Sequence, residues 1–268
     1  MVETVFLKLG GSLITEKTQR EAARLDVLRR VAGEIAAALR VRTELRLVLG
    51  HGSGSFGHFA AERYGVHRGH LSDWWGYAQT AAAAARLNRL VVDTCLEAGV
   101  PVVSLQPSAS LRTRGGEIRD WATWPVEKLL AQGLVPVVFG DVALDERQGS
   151  TIASTEQLFE YLAHQLRPQR MLLAGEVDGV YTADPQREPG ARPIAALTPA
   201  SWQAAEKHEG VGGARGVDVT GGMYAKVQQM LRLVEALPGL QVSIFSGLEV
   251  GRVRDALEGR AGGTLLAR

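Results

Sequence analysis

Val5-Phe6-Leu7-Lys8-Leu9-Gly10-Gly11-Ser12 is the stretch on which the fold turns. A short apolar run closed by two glycines reads as a buried strand feeding a tight turn. The same device recurs along the chain. Leu45 to Leu49 runs into Gly50-His51-Gly52-Ser53-Gly54-Ser55-Phe56-Gly57-His58, Val135 to Phe139 is closed by Gly140-Asp141, and Arg170 to Ala174 leads to Val177-Asp178-Gly179-Val180-Tyr181. Further strands are predicted at Val102 to Leu105, Val242 to Phe245 and Thr264 to Leu266. Between them lie helical patterns: Leu25, Leu28, Ala32, Ile35 and Leu39 share one face, as do Met223, Val227, Leu231, Val234 and Leu237. Other helices are predicted from about Trp75 to Leu96, from Ser154 to about Leu166, from Trp202 to Lys207 and near Arg252 to Leu257. Strands alternating with helices predict an α/β fold with a mostly parallel sheet covered on both sides. Arg114-Gly115-Gly116-Glu117 and Asp145 to Gly149 read as turns. Glycine and proline near Pro168 suggest two lobes sharing one sheet, and the glycine-rich Gly210 to Gly222 is expected to be mobile.

Composition narrows the function. The 268 residues are 46% hydrophobic and 22% charged, the balance of a globular chain. Thirty basic against twenty-nine acidic residues leave +1, with no basic block; this argues against a nucleic-acid grip or an anionic-membrane anchor. One cysteine, Cys95, closes no intrachain disulfide, and six histidines make a structural zinc site a poor expectation. No apolar stretch approaches the roughly 20 residues of a membrane span, and the N-terminus lacks the pattern of a signal peptide, so a cytoplasmic location is expected.

Only five basic residues are lysines: Lys8, Lys17, Lys128, Lys207 and Lys226. Where arginine is used almost everywhere, a lysine stands out for its compact ammonium. Lys8 interrupts an apolar strand, and a buried ammonium needs an anionic partner. Lys226 falls in the first turns of its helix, where the dipole disfavours a cation unless an anion faces it. In an open parallel sheet ligands bind beyond the carboxyl ends of the strands. Four glycine-bearing segments belong there: 8–12, 50–58, 140–141 and Thr220-Gly221-Gly222-Met223-Tyr224-Ala225-Lys226. Backbone amides of such turns, with helix N-termini, suit a polyphosphate. Gly52 to Gly57 also spells GxGxxG, but the acid some twenty residues on, Asp73, ends no strand, which disfavours a nicotinamide site. No Walker A sequence is present, nor the protein-kinase catalytic loop.

These segments, together with Asp178-Gly179-Val180-Tyr181-Thr182, Asp184-Pro185 and Asp218-Val219-Thr220-Gly221-Gly222-Met223, resemble the amino acid kinase superfamily over essentially the whole chain. Within it, Lys17 nine residues after Lys8, with Gly-Ser-Phe-Gly-His ending at His58, resembles the isopentenyl phosphate kinase family. The resemblance implies a three-layer αβα sandwich forming one domain over 1–268, with an acceptor lobe over about 1–167 and an ATP lobe over about 168–268. It implies ATP with Mg²⁺, isopentenyl phosphate as acceptor, and a homodimer. By position, Lys8 and Lys226 would contact the transferring phosphoryl group, with Lys17 reaching the phosphates. Gly10, Gly11, Ser12, Gly54, Asp178 and Gly222 would serve ATP; Ser53, His58 and Thr155 would hold the acceptor. Glu156 would orient the lysines, standing with Ser154 and Thr155 where relatives usually show Ser-Gly-Asp. No metal-ligating side chain is implied, since Mg²⁺ rides largely on phosphate and water in this superfamily. Kinase action on another anion such as fosfomycin, and a non-catalytic nucleotide sensor, are the competing readings.

Overall fold

The computed structural model describes residues 2–71, 73–183, 188, 190–208 and 221–268. Asp184-Pro185, and Gly210 to Thr220 of the stretch expected to be mobile, lie outside them. Among the described residues the central sheet has eight strands: β1 (Glu3–Leu9), β2 (Leu45–His51), β3 (Val102–Ser104), β4 (Val135–Phe139), β5 (Arg170–Gly175), β6 (Ala196–Leu197), β7 (Gln241–Ser246) and β8 (Thr264–Leu266). Their order is β6-β8-β7-β5-β1-β2-β4-β3, and only the β7–β8 pair is antiparallel. The helices are α1 (Gly11–Ile14), α2 (Leu25–Val41), α3 (Gly54–Tyr64), α4 (Trp75–Glu97), α5 (Trp124–Ala131), α6 (Thr155–Leu166), α7 (Pro199–His208), α8 (Gly221–Ala236) and α9 (Arg252–Leu257).

Strand alternation separates two cores. Val5, Leu7 and Leu9 of β1 face one side, packed with apolar residues of α2, α4 and α9. Phe6 faces the other, where α5, α6 and α8 supply Leu130, Phe159 and Val227. The result is the expected αβα sandwich. Strand β1 lies inside the sheet, between β2 and β5, and so its five positions from Val5 onward are all buried. The sheet is continuous across Pro168, where β5 pairs directly with β1.

Both predicted turns close hairpins of a second, four-stranded sheet. Arg112–Arg114 pairs with Glu117–Asp120, and Asp141–Asp145 pairs with Gly149–Ala153. Asp145 ties them together. Its carboxylate accepts the amides of Gly115, Gly116, Arg147 and Gln148 and the Thr113 hydroxyl. Burial alone would push the carboxyl up; the amides outweigh it and hold it well below the usual carboxylate range. No described helix is long and apolar enough to cross a membrane.

Candidate active site

Lys8 shares its face of β1 with Phe6, two residues back, and that face is covered by α6 and α8. Each helix brings one charged side chain to it. Glu156, from the first turn of α6, forms an ion pair with Lys8, and Lys226 Nζ of α8 lies 3.9 Å from the same carboxylate oxygen. The helix start is fixed by a capping box. Ser154 Oγ accepts the Gln157 amide at 3.2 Å, and Gln157 Oε1 accepts the Ser154 amide at 2.9 Å. An acid at this end also complements the helix dipole. Burial pushes the Glu156 carboxyl up, but Lys8 and then Lys226 more than offset it and hold it below its ordinary value. The Lys226 ammonium is pulled below its ordinary value by burial first and by Lys8 second, with Glu156 opposing. Two cations sharing one anion leave a net positive charge where the sheet opens. This is the anionic partner that the sequence demanded for Lys8.

The glycines beside this triad do more than bare amides for a ligand. A Cβ on Gly11 would lie 2.6 Å from the Gly54 nitrogen, and one on Gly52 would lie 2.8 Å from the Gly11 nitrogen. The turns after β1 and β2 therefore pack backbone on backbone. Gly54 also adopts φ +49°, the left-handed region. Gly10 corrects its expected role as an amide donor: its N–H is spent on the Ala174 carbonyl at 2.8 Å. Gly11 and Ser12, the leading residues of α1, have no carbonyl in their own helix to bind.

Thr15, unnoticed in the sequence, joins the two turns. Fully buried, its hydroxyl donates to the Gly11 carbonyl at 2.8 Å and accepts the Ser55 amide at 2.9 Å. Thr15→Val keeps the shape and removes both bonds, and is expected to cost about 1–3 kcal/mol in a urea titration. Thr15→Ser should retain most of that stability; equal losses in the two variants would remove the clamp.

Three adjoining cavities extend from the triad. One of about 260 Å³ is lined by Lys8, Gly10, Gly11, Ser12, Lys17 and Lys226, together with Glu176 and Met223. Ser12 and Lys17 also line a second, of about 470 Å³, with Ser53, Gly54 and His58. Ser53, His58 and Glu62 then continue into a third, of about 420 Å³, walled by Thr80, Ala84, Val142 and Ile152. Lys8 and His58 thus border neighbouring compartments joined through shared residues. Apolar walls for the third come from α4 and the second sheet. Trp74 and Trp75 are exposed at 50% and 62%.

Three residues expected at the site are outside the linings of these three cavities. Thr155 is buried, and its hydroxyl donates to the His51 carbonyl at 2.6 Å, so that proton is not free for a ligand. Asp178 lines a separate cavity of about 240 Å³ with Arg252 and Thr264, and its carboxylate accepts the Tyr181 hydroxyl. Gly222 sits in the first turn of α8, next to Met223, which does line the cavity of the triad. His51, between the two glycine turns, is fully buried and stacks on Phe139 with ring centroids 5.5 Å apart. Burial pulls its pKa down, which suits a structural, neutral imidazole.

A parallel sheet with two lysines bracketing one acid beyond a strand end, beside glycine turns, is the architecture of a phosphotransferase. The chain belongs to the amino acid kinase family, whose model matches residues 3–246. Within that family it is similar to isopentenyl phosphate kinases. That of Methanothermobacter thermautotrophicus is 37% identical over 264 residues, 95% of each chain. A solved X-ray structure of isopentenyl phosphate kinase superposes with a TM-score of 0.84 at 33% identity, covering 98% of this chain and 100% of the other. A substrate complex of isopentenyl phosphate kinase superposes with a TM-score of 0.78 at 25% identity, covering 98% and 99%.

Proposed function

We propose that the chain transfers the γ-phosphoryl group of ATP to the phosphate of isopentenyl phosphate, giving isopentenyl diphosphate and ADP. The Lys8–Glu156–Lys226 triad carries this reading, supported by the similarity to isopentenyl phosphate kinases over nearly the full chain. A phosphate monoester has its second pKa near 6 and is largely ionised at neutral pH. The acceptor therefore needs no general base. The barrier lies in bringing two polyanions into line, and positioning with charge compensation lowers it.

Lys8 and Lys226 meet the transferring group, Lys17 approaches it from the loop after α1, and the Gly11 and Ser12 amides with the Gly54 turn hold the donor's phosphates. Ser53 and His58 hold the acceptor phosphate, assisted by the Thr155 amide, and the third cavity takes the isoprenoid tail. Residues up to about 167 then form the acceptor lobe and the rest the ATP lobe, with Asp178 and Gly222 on the nucleotide side. Among the described residues no three His, Cys, Asp or Glu side chains gather as a metal-ligand set, and the acids nearest the triad cavity are already paired with cations. Mg²⁺ fits here as a companion of the nucleotide's phosphates, where it neutralises their charge.

ADP release with isopentenyl phosphate tests the proposal, beside fosfomycin and phosphorylated alcohols of rising chain length. Release no faster than without acceptor would sink it. His58→Ala should lower kcat/KM for the acceptor about 10- to 100-fold, the worth of a hydrogen bond to a charged group. KM for ATP should hold; unchanged acceptor kinetics would remove His58 from the site.

A further inference from the structure

The cavity built for anions contains a carboxylate that the reaction as proposed leaves unused. Glu176 follows β5 directly and lines the triad cavity. Its Oε2 lies 2.6 Å from Lys17 Nζ, and its Oε1 accepts Arg24 at 3.2 Å. Arg24 is itself held, with Nε and Nη2 on the two oxygens of Glu16 at 2.7 and 3.2 Å. The Glu176 main-chain carbonyl accepts the Ser246 hydroxyl at 3.1 Å. Glu176 is thus anchored from the sheet and from Arg24, whereas Lys17 hangs from an open loop with 67% of its side chain exposed.

That loop is fixed at its stem. Thr15 bridges Ala23, the Glu16 amide donates to the Ala22 carbonyl, and the Arg24 amide donates to the Ile14 carbonyl. The stem positions the Lys17 backbone but leaves a four-carbon side chain with many rotamers. An exposed ion pair holds weakly and is readily exchanged for a better anion. When Lys17 leaves, Arg24 still compensates the Glu176 charge, so the carboxylate is not stranded against incoming phosphate.

We propose that Glu176 is a positioning residue: it parks the Lys17 ammonium at the edge of the triad cavity and releases it to the transferring phosphoryl group. This rests on the phosphotransfer reading above. The tether restricts Lys17 before substrate arrives, so less side-chain freedom is lost as the transition state forms.

The test is a double-mutant cycle assayed with ATP and isopentenyl phosphate. Glu176→Gln should lower kcat about tenfold, in the range that misplacement of a single group produces. KM for ATP should not rise, because removing a carboxylate does not weaken an anion site. In the Lys17→Met background the same change should have no further effect, and Glu176→Asp should recover part of the loss. Equal falls in both backgrounds would make Glu176 a structural residue and overturn the proposal, as would full activity of Glu176→Gln. Full activity of Lys17→Met would remove the role of Lys17 and the tether with it. Failure of the unmodified chain to make the diphosphate would instead defeat the functional reading, a result distinct from every variant outcome.

Discussion

Glu156→Gln is expected to lose about 3–5 kcal/mol of folding stability, the cost of removing one partner from a buried ion pair. Lys8 and Lys226 would then face each other with no anion between them. The pH profile separates this charge effect from simple damage. Lys226 is already pulled below its ordinary value by burial and by Lys8, and Glu156 is the group opposing that shift. Removing the opposition lowers the Lys226 pKa further. In the proposed reaction the protonated lysine is the active form, so the alkaline fall of kcat/KM, which reports the free enzyme, should move to lower pH. Glu156→Asp keeps the charge on a shorter arm and should leave the alkaline limb nearer its original place. An alkaline limb that stays put in Glu156→Gln would show that the carboxylate does not govern Lys226.

Much of this site was legible because its chemistry contradicts its surroundings. A lysine in an apolar strand announces a buried partner, and β1 proved to be internal, with Lys8 at 8% exposure. Glycine turns after strands announce where the sheet opens. What stayed hidden depends on residues far apart in sequence. Thr15 reads as any loop threonine until Ser55, forty residues on, is placed against it. Glu176 carries no local signal, since its partners Lys17 and Arg24 come from a loop more than 150 positions away. The glycines were read as ligand-binding amides, yet Gly10 spends its amide on Ala174, and Gly11 is small because another backbone lies against it. Thr155 is expected to hold the acceptor, and nothing local reveals that the His51 carbonyl already takes its hydroxyl proton. Sequence pattern exposes conflicts within one element; it is silent on which distant group resolves them.

Lys226→Met should lower kcat about 10²- to 10³-fold, the effect of deleting one donor aimed at developing charge. Lys226 is the better probe of the two triad lysines. Lys8 is nearly buried and pairs directly with Glu156, so its loss would strand a carboxylate and confuse folding with catalysis. Lys226 stands 3.9 Å from that carboxylate with 30% of its side chain exposed, the less compensated of the two charges. Its removal leaves the Lys8–Glu156 pair in place, and the denaturation midpoint should change little. On the proposed assignment, phosphates of bound ATP also meet Lys8, Lys17 and the amides of Gly11 and Ser12, so KM for ATP should change much less than kcat. Lys226→Arg should not restore full turnover, because a planar guanidinium does not reproduce a point-like ammonium. If Lys226→Met folds normally and turns over at the unmodified rate, then the second cation of the triad holds the helix in place and takes no part in phosphoryl transfer.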